Sequence, residues 1–296
     1  MATDTISRRK FLGGTAAAVV GAAALPYIAG ISTASATPTI TFPLAIPSWT
    51  PLDPQALARQ AYEIYKGKRT GHSACCEATY WPIVGELANR FPTTWGLIPM
   101  GMFNYGGGGV NSYGSICGCP NGGSALLSQI GGTTAMKMNF MWWYEKTALP
   151  SNAAYLDYAT GTWTPGGTAT GGWGPFVGTP ANQMAIPFNN CPSSVAKETL
   201  CHISLTRWRA AADRWLTAVG VDTQTDRCAK LCYDSVYYLA TLINTWKAGG
   251  TIDGSVSPDA SATGCKNPSC HGGPVVDPLC PVTAQGSMQC SGCHSL

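Results

Sequence analysis

The hydrophobic and polar positions change texture four times along the chain. An apolar run from Phe11 to about Ile31 stands behind Ser7-Arg8-Arg9-Lys10-Phe11-Leu12 and ahead of Ala34-Ser35-Ala36. A twin-arginine signature, an apolar run and a small-residue cleavage site read as an export signal over residues 1–36, so a periplasmic or otherwise exported protein is expected. Gly13-Gly14, Gly21, Pro26 and Gly30 interrupt the run. A spanning helix needs roughly 20 predominantly apolar residues, so no transmembrane span is expected in the mature chain.

Helical periods follow. Asp53-Pro54 reads as an N-cap with proline in the first turn. Leu57, Ala61, Ile64 and Tyr65 then repeat helically between Gln55 and Lys66. A second helix is expected from about Ser73 to Phe91 on the stripe Tyr80, Ile83, Val84 and Leu87, with Pro82 as a candidate kink. Residues 101–124 read as a Gly-rich loop leading into a short helix, Ser124–Ile130. Residues 140–190, rich in Gly, Thr and Trp, read as long ordered loops with room for a hairpin. Two stronger helices are expected from about Ser193 to Val219 and from about Thr225 to Lys247, the latter on Leu231, Val236, Leu239, Leu242 and Ile243. From Gly249 onward Gly, Pro, Ser and Asp dominate, and aliphatic side chains are too few to build a core. The expected class is mainly α: a helical domain over 37–248 with long Gly/Trp-rich loops, and an irregular C-terminal tail over 249–296.

Composition narrows the function. The 296 residues are 45% hydrophobic, which argues against disorder, and the net charge is +3. Losing residues 1–36 removes three positive charges and one negative and leaves +1, too little for a nucleic-acid binder. The 13 cysteines are too many for an ordinary cytosolic enzyme and too dilute for a small disulfide scaffold. Their number is also odd, so disulfides cannot use them all.

The tail gives four of these cysteines a context. Cys290-Ser-Gly-Cys293-His294 is a C-x-x-C-H motif, the signature of c-type haem attachment. Two thiols reach the two vinyl groups of the haem, and the imidazole that follows meets the iron. Cys265-Lys-Asn-Pro-Ser-Cys270-His271 is the rarer C-x4-C-H spacing, and beside the first motif it points to a second haem. His271 and His294 are then the proximal iron ligands. Only His72 and His202 remain as distal candidates, although eight Met residues offer the other usual sixth ligand. Two bis-His haems would use all 4 histidines. Such haems have no open iron position, so electron transfer is expected rather than substrate turnover at iron.

Outside the haem motifs stand Cys75, Cys76, Cys117, Cys119, Cys191, Cys201, Cys228, Cys232 and Cys280. Four segments occur in order: Cys75-Cys-Glu-Ala-Thr-Tyr-Trp81, Ser115-Ile-Cys117-Gly-Cys-Pro-Asn-Gly122-Gly, Cys201-His-Ile-Ser-Leu-Thr-Arg-Trp208 and Arg227-Cys228-Ala-Lys-Leu. With the haem tail, they resemble the split-Soret cytochrome c family and its shorter, haem-free relatives with a C…CGAxxG…C…C pattern. The resemblance covers roughly residues 54–247 and the tail. It implies a mainly helical dihaem homodimer that passes electrons to redox partner proteins. It also implies that Cys75, Cys117, Cys201 and Cys228 are candidate iron–sulfur ligands. Cys119 stands where the pattern has alanine and Cys76 doubles Cys75, so both are alternates, as is Cys191. The roles of Cys232 and Cys280 stay open.

A cluster would be assembled before export, whereas c-type haem is attached afterwards, which suits a twin-arginine signal. His72 lies three residues before Cys75, and His202 directly follows Cys201. Successive helix residues point about 100° apart, so Cys201 facing the core leaves His202 facing a haem docked outside. Two rival readings carry different signatures. A redox enzyme with an open haem or cluster site predicts a five-coordinate spectrum or carbon monoxide binding. A non-enzymatic zinc protein predicts a colourless chain.

Overall fold

The structure is a computed structural model that describes residues 42–67, 74–99, 101–151, 192–219, 223–253 and 256. The export signal, His72, Cys191, Cys280 and the whole haem-motif tail lie outside the described residues. Among the described residues the fold is mainly α, as expected. It comprises α1 (Pro54–Gly67), α2 (Cys75–Arg90), α3 (Gly118–Gln129), α4 (Thr134–Lys146), α5 (Cys201–Val219) and α6 (Thr223–Lys247), with two short strands, β1 (Ala148–Leu149) and β2 (Ser194–Val195). No described helix is long and apolar enough to cross a membrane.

α1 starts where the sequence places it. The Asp53 carboxylate accepts from the backbone N–H groups of Gln55 and Ala56, both at 3.0 Å, satisfying donors that a helix start leaves orphaned. Leu57, Ala61 and Ile64 face the core. α6 lies along α1 and also packs on α2, α3 and α4. The Tyr62 hydroxyl donates to Asp226 (2.7 Å), and Lys230 sits 3.5 Å from the same carboxylate, pinning the start of α6 to α1. Further along α6, Asn244 donates to the Leu52 carbonyl (2.9 Å) and accepts from its N–H (2.8 Å).

α2 departs from the expected stripe. Cys75 to Gly85 and Leu87 are all buried, because α1, α3 and α6 cover this helix from several sides. It continues through Pro82 to Arg90.

Three other expectations need correction. α3 starts at Gly118, inside the glycine run, rather than at Ser124. Pro120 falls in its first turn, where a missing N–H costs nothing. α4 occupies residues expected to open a long loop. The Thr133 hydroxyl caps it by accepting from Met136 N–H (3.2 Å), and Met136, Phe140 and Tyr144 are buried along it. α5 starts at Cys201 rather than Ser193, because the residues before it are used elsewhere: β2 pairs antiparallel with β1, Ala148 opposite Val195, the chain turns at Lys197 (φ 59°), and Ile116 bridges Leu200. The hairpin expected within 140–190 falls mostly outside the described residues.

Candidate cysteine centre

Three helix starts bring three cysteines together. Cys75 opens α2, Cys117 is the N-cap of α3 and Cys201 opens α5. Two of these starts are stitched to each other. Cys117 N–H donates to the Thr199 carbonyl (2.8 Å), Cys201 N–H to Ser115 (2.7 Å) and His202 N–H to Gly114 (3.1 Å). Helix N-termini carry partial positive charge and favour thiolates. The fourth cysteine, Cys228, comes from α6 beside Arg227, whose guanidinium lies 3.8 Å from its sulfur.

The sulfurs interact through Cys117. Its thiol exchanges side-chain hydrogen bonds with Cys119, Cys201 and Cys75, and these hold it well below the usual thiol range. The neighbours move the other way. Hydrogen bonding to Cys117 and then burial push Cys75 up, and the same two causes push up Cys201. Burial, with opposition from Arg227, raises Cys228. Two tyrosines reach in: the Tyr144 hydroxyl hydrogen-bonds to Cys117 and donates to Ser204 Oγ (2.9 Å), while Tyr65 hydrogen-bonds to Cys228.

The four pattern cysteines therefore meet in space, joined by two more. Cys119 Sγ lies 3.7 Å from Cys232 Sγ, and Cys232 in turn faces the Cys75 carbonyl at 3.8 Å. Sequence reading left Cys232 without a role, although a signal existed: four residues after Cys228 on one helix, it shares that residue's face. Cys76 turns toward the glycine segment, and burial raises its thiol to about 12. Among the described residues, no group of three or more His, Cys, Asp or Glu side chains is arranged to hold a single metal ion. The thiols form a connected set around Cys117 rather than a shell around one point.

The glycine run makes this approach possible. A Cβ on Gly118 would lie 2.4 Å from both Cys75 Sγ and the Cys76 backbone nitrogen. At Gly109 (φ +72°) it would lie 2.7 Å from Cys201 Cβ. The loop just before Gly114 is strained, since Val110, Asn111 and Ser112 take φ values of 61°, 50° and 65°. The left-handed conformation costs a non-glycine residue about 1–2 kcal/mol. Val110→Gly relieves that cost and adds roughly 0.5–1 kcal/mol of backbone entropy. It is therefore expected to leave stability unchanged or raise it by up to about 1.5 kcal/mol, read as an unchanged or higher thermal midpoint. A clear fall would refute the strain.

Beside Cys201, His202 faces out of the core and is exposed. Its Nδ1 lies 2.7 Å from the Gly114 carbonyl oxygen. A carbonyl only accepts, so Nδ1 carries the proton and Nε2 presents its lone pair, the tautomer a metal-ligating imidazole needs. Four residues earlier, Glu198 is buried and its carboxyl is raised to about 7 by desolvation, against the pull of Arg207 and His202.

Helices that converge on a largely buried set of cysteine thiols, next to an outward histidine with a fixed tautomer, define a mainly helical protein with clustered cysteines at its helix starts. Comparison with known proteins gives this class a relative. No family model matches the chain. It is 28% identical over 253 residues to split-Soret cytochrome c of Desulfovibrio desulfuricans, covering 83% of this chain and 77% of that protein. A solved structure of the split-Soret cytochrome c from Desulfovibrio desulfuricans ATCC 27774, reported for a novel iron centre, superposes with a TM-score of 0.55 at 25% identity, covering 83% of this chain and 90% of that one. Sequence and fold together show the resemblance to split-Soret cytochrome c that the motifs imply.

Proposed function

We propose that this chain is an exported electron-transfer cytochrome. It would carry two covalent haems on Cys265, Cys270 and His271 and on Cys290, Cys293 and His294, with an iron–sulfur centre on Cys75, Cys117, Cys201 and Cys228. The observation that carries the second part is the meeting of four cysteines, far apart in sequence, around Cys117. The donor set fits the group: soft thiols, two buried and two half-buried, three at helix N-termini and one against a guanidinium. A linked set of thiols without a single-ion shell suits a polynuclear centre, in which bridging atoms fill the space between ligands. Iron so held supplies a one-electron store. Tyr144 is buried beside Cys117, its hydroxyl held by Ser204.

The haem part rests on the two attachment motifs and on likeness to a protein that is itself a cytochrome c. The Nδ1–H bond to Gly114 supports His202 as a distal haem ligand, with His72 as the second candidate. A homodimer and export through the twin-arginine route complete the reading, the first by likeness and the second by residues 7–12.

The test is the absorption spectrum of the reduced, denatured protein. It is expected to count two haems c per chain, falling to one in the Cys290→Ala/Cys293→Ala double variant. A colourless protein would defeat the haem assignment. In the folded protein, His202→Ala is expected to convert one haem from low-spin to high-spin. An unchanged spectrum removes His202 from the ligand set.

A further inference from the structure

We propose that Arg227 is the built-in counter-ion of the cysteine centre, a positioning residue that favours its reduced state. The inference rests on the iron–sulfur reading above and goes beyond it by naming a residue that is not a ligand.

Arg227 is among the largest fully buried side chains of the protein. A buried cation is costly unless an anion compensates it. No carboxylate does so here. Among the described residues Arg227 forms no ion pair with an acid, and its Nε is buried without a hydrogen-bond partner. Its sequence neighbour Asp226 is engaged on another face of α6, by Tyr62 and Lys230. The guanidinium instead donates through one terminal nitrogen to Ser204 Oγ and the Ser204 carbonyl, and through the other to Cys228 Sγ at 3.8 Å. The groups that favour its charge are Cys228, Tyr144 and Cys117.

A chain that keeps an arginine in this place is adapted to a centre with negative charge. Neutral thiols leave the guanidinium uncompensated, whereas metal-bound thiolates neutralise it. Taking up an electron makes the centre one charge more negative. A fixed positive charge a few ångströms away, shielded from water, then stabilises the reduced form more than the oxidised one. Ser204 orients the guanidinium and also receives the Tyr144 hydroxyl, so one side chain holds both the cation and the tyrosine beside Cys117.

The experiment uses the full exported protein and the Arg227→Gln and Arg227→Lys variants. Circular dichroism checks helical content, and non-haem iron and sulfide are counted per chain. The centre's own magnetic resonance signal is followed through a potential titration, separately from the haems. Arg227→Gln is expected to keep its helices and to shift the midpoint down, so that the equilibrium constant for reduction falls at least tenfold. Arg227→Lys, which keeps the charge, is expected to stay closer to wild type. Loss of iron from a folded Arg227→Gln, with retention in Arg227→Lys, supports the same conclusion. If Arg227→Gln holds wild-type iron at wild-type potential, the counter-ion role is wrong and the centre stands. If the wild-type chain holds no non-haem iron and takes up none from ferrous iron and sulfide, the centre itself is wrong, and the role of Arg227 falls with it.

Discussion

Gly118→Ala is expected to destabilise the protein by about 2–4 kcal/mol and to strip iron from the cysteine centre. Gly118 is the first residue of α3, between Cys117 and Cys119. By helix propensity alone, alanine there would help by roughly 0.5–1 kcal/mol. Packing reverses the sign. The added methyl would lie 2.4 Å from Cys75 Sγ, 2.4 Å from the Cys76 nitrogen and 2.7 Å from the Gly106 carbonyl oxygen. Two of those three atoms are backbone and cannot turn aside, so α3 must retreat from the start of α2. That retreat separates Cys117 from Cys75, the pair joined by the hydrogen bond that most raises the Cys75 thiol. Gly96 is the control, since its added methyl would meet only Pro92 Cβ at an ordinary 3.7 Å. Gly96→Ala is expected to stay within about 0.5 kcal/mol of wild type. Denaturant midpoints and iron content read both variants, and an unaltered Gly118→Ala would show that the close approach is not needed.

The same contact explains what the sequence hid. Glycines around 106–123 read as a loop, because propensity is local and the reason for these glycines is a neighbouring helix that the pattern cannot see. α1 and α6 were legible because each combines a regular apolar stripe with one dominant covered face. α4 was not: Phe140, Met141, Trp142, Trp143 and Tyr144 run together without a stripe, and its boundary is written only in the Thr133 cap. The centre was legible as spacing, since each pattern cysteine stands in a recognisable segment. Arg227 and Cys232 were not singled out, because a charge and a thiol on an amphipathic helix look like surface and core until the helix is placed. The displaced start of α5 has the same origin. Residues 194–200 could continue a helix by composition, yet Ser194–Val195 pair with β1, Lys197 turns the chain at φ 59°, and Leu200 bridges Ile116 before Cys117.

Cys117 and Cys119 divide the choice that the sequence left open, and serine at each position is expected to give opposite results. Cys117 is an N-cap with φ −60° and ψ 142°, and serine is among the best N-cap residues. Cys117→Ser therefore keeps α3 and changes stability by less than about 1 kcal/mol, while removing the thiol that Cys75, Cys119 and Cys201 all address. Iron is expected to be lost from a folded protein. Cys119 is fully buried, one turn face away, with its sulfur 3.7 Å from Cys232. Cys119→Ser places a hydroxyl in this sulfur-lined pocket at a cost of about 1–2 kcal/mol, and iron is expected to stay. The reverse outcome, iron lost with Cys119 and kept without Cys117, would move the ligand to the position where the family pattern has alanine. It would also make Cys232, the partner of Cys119, the next residue to replace.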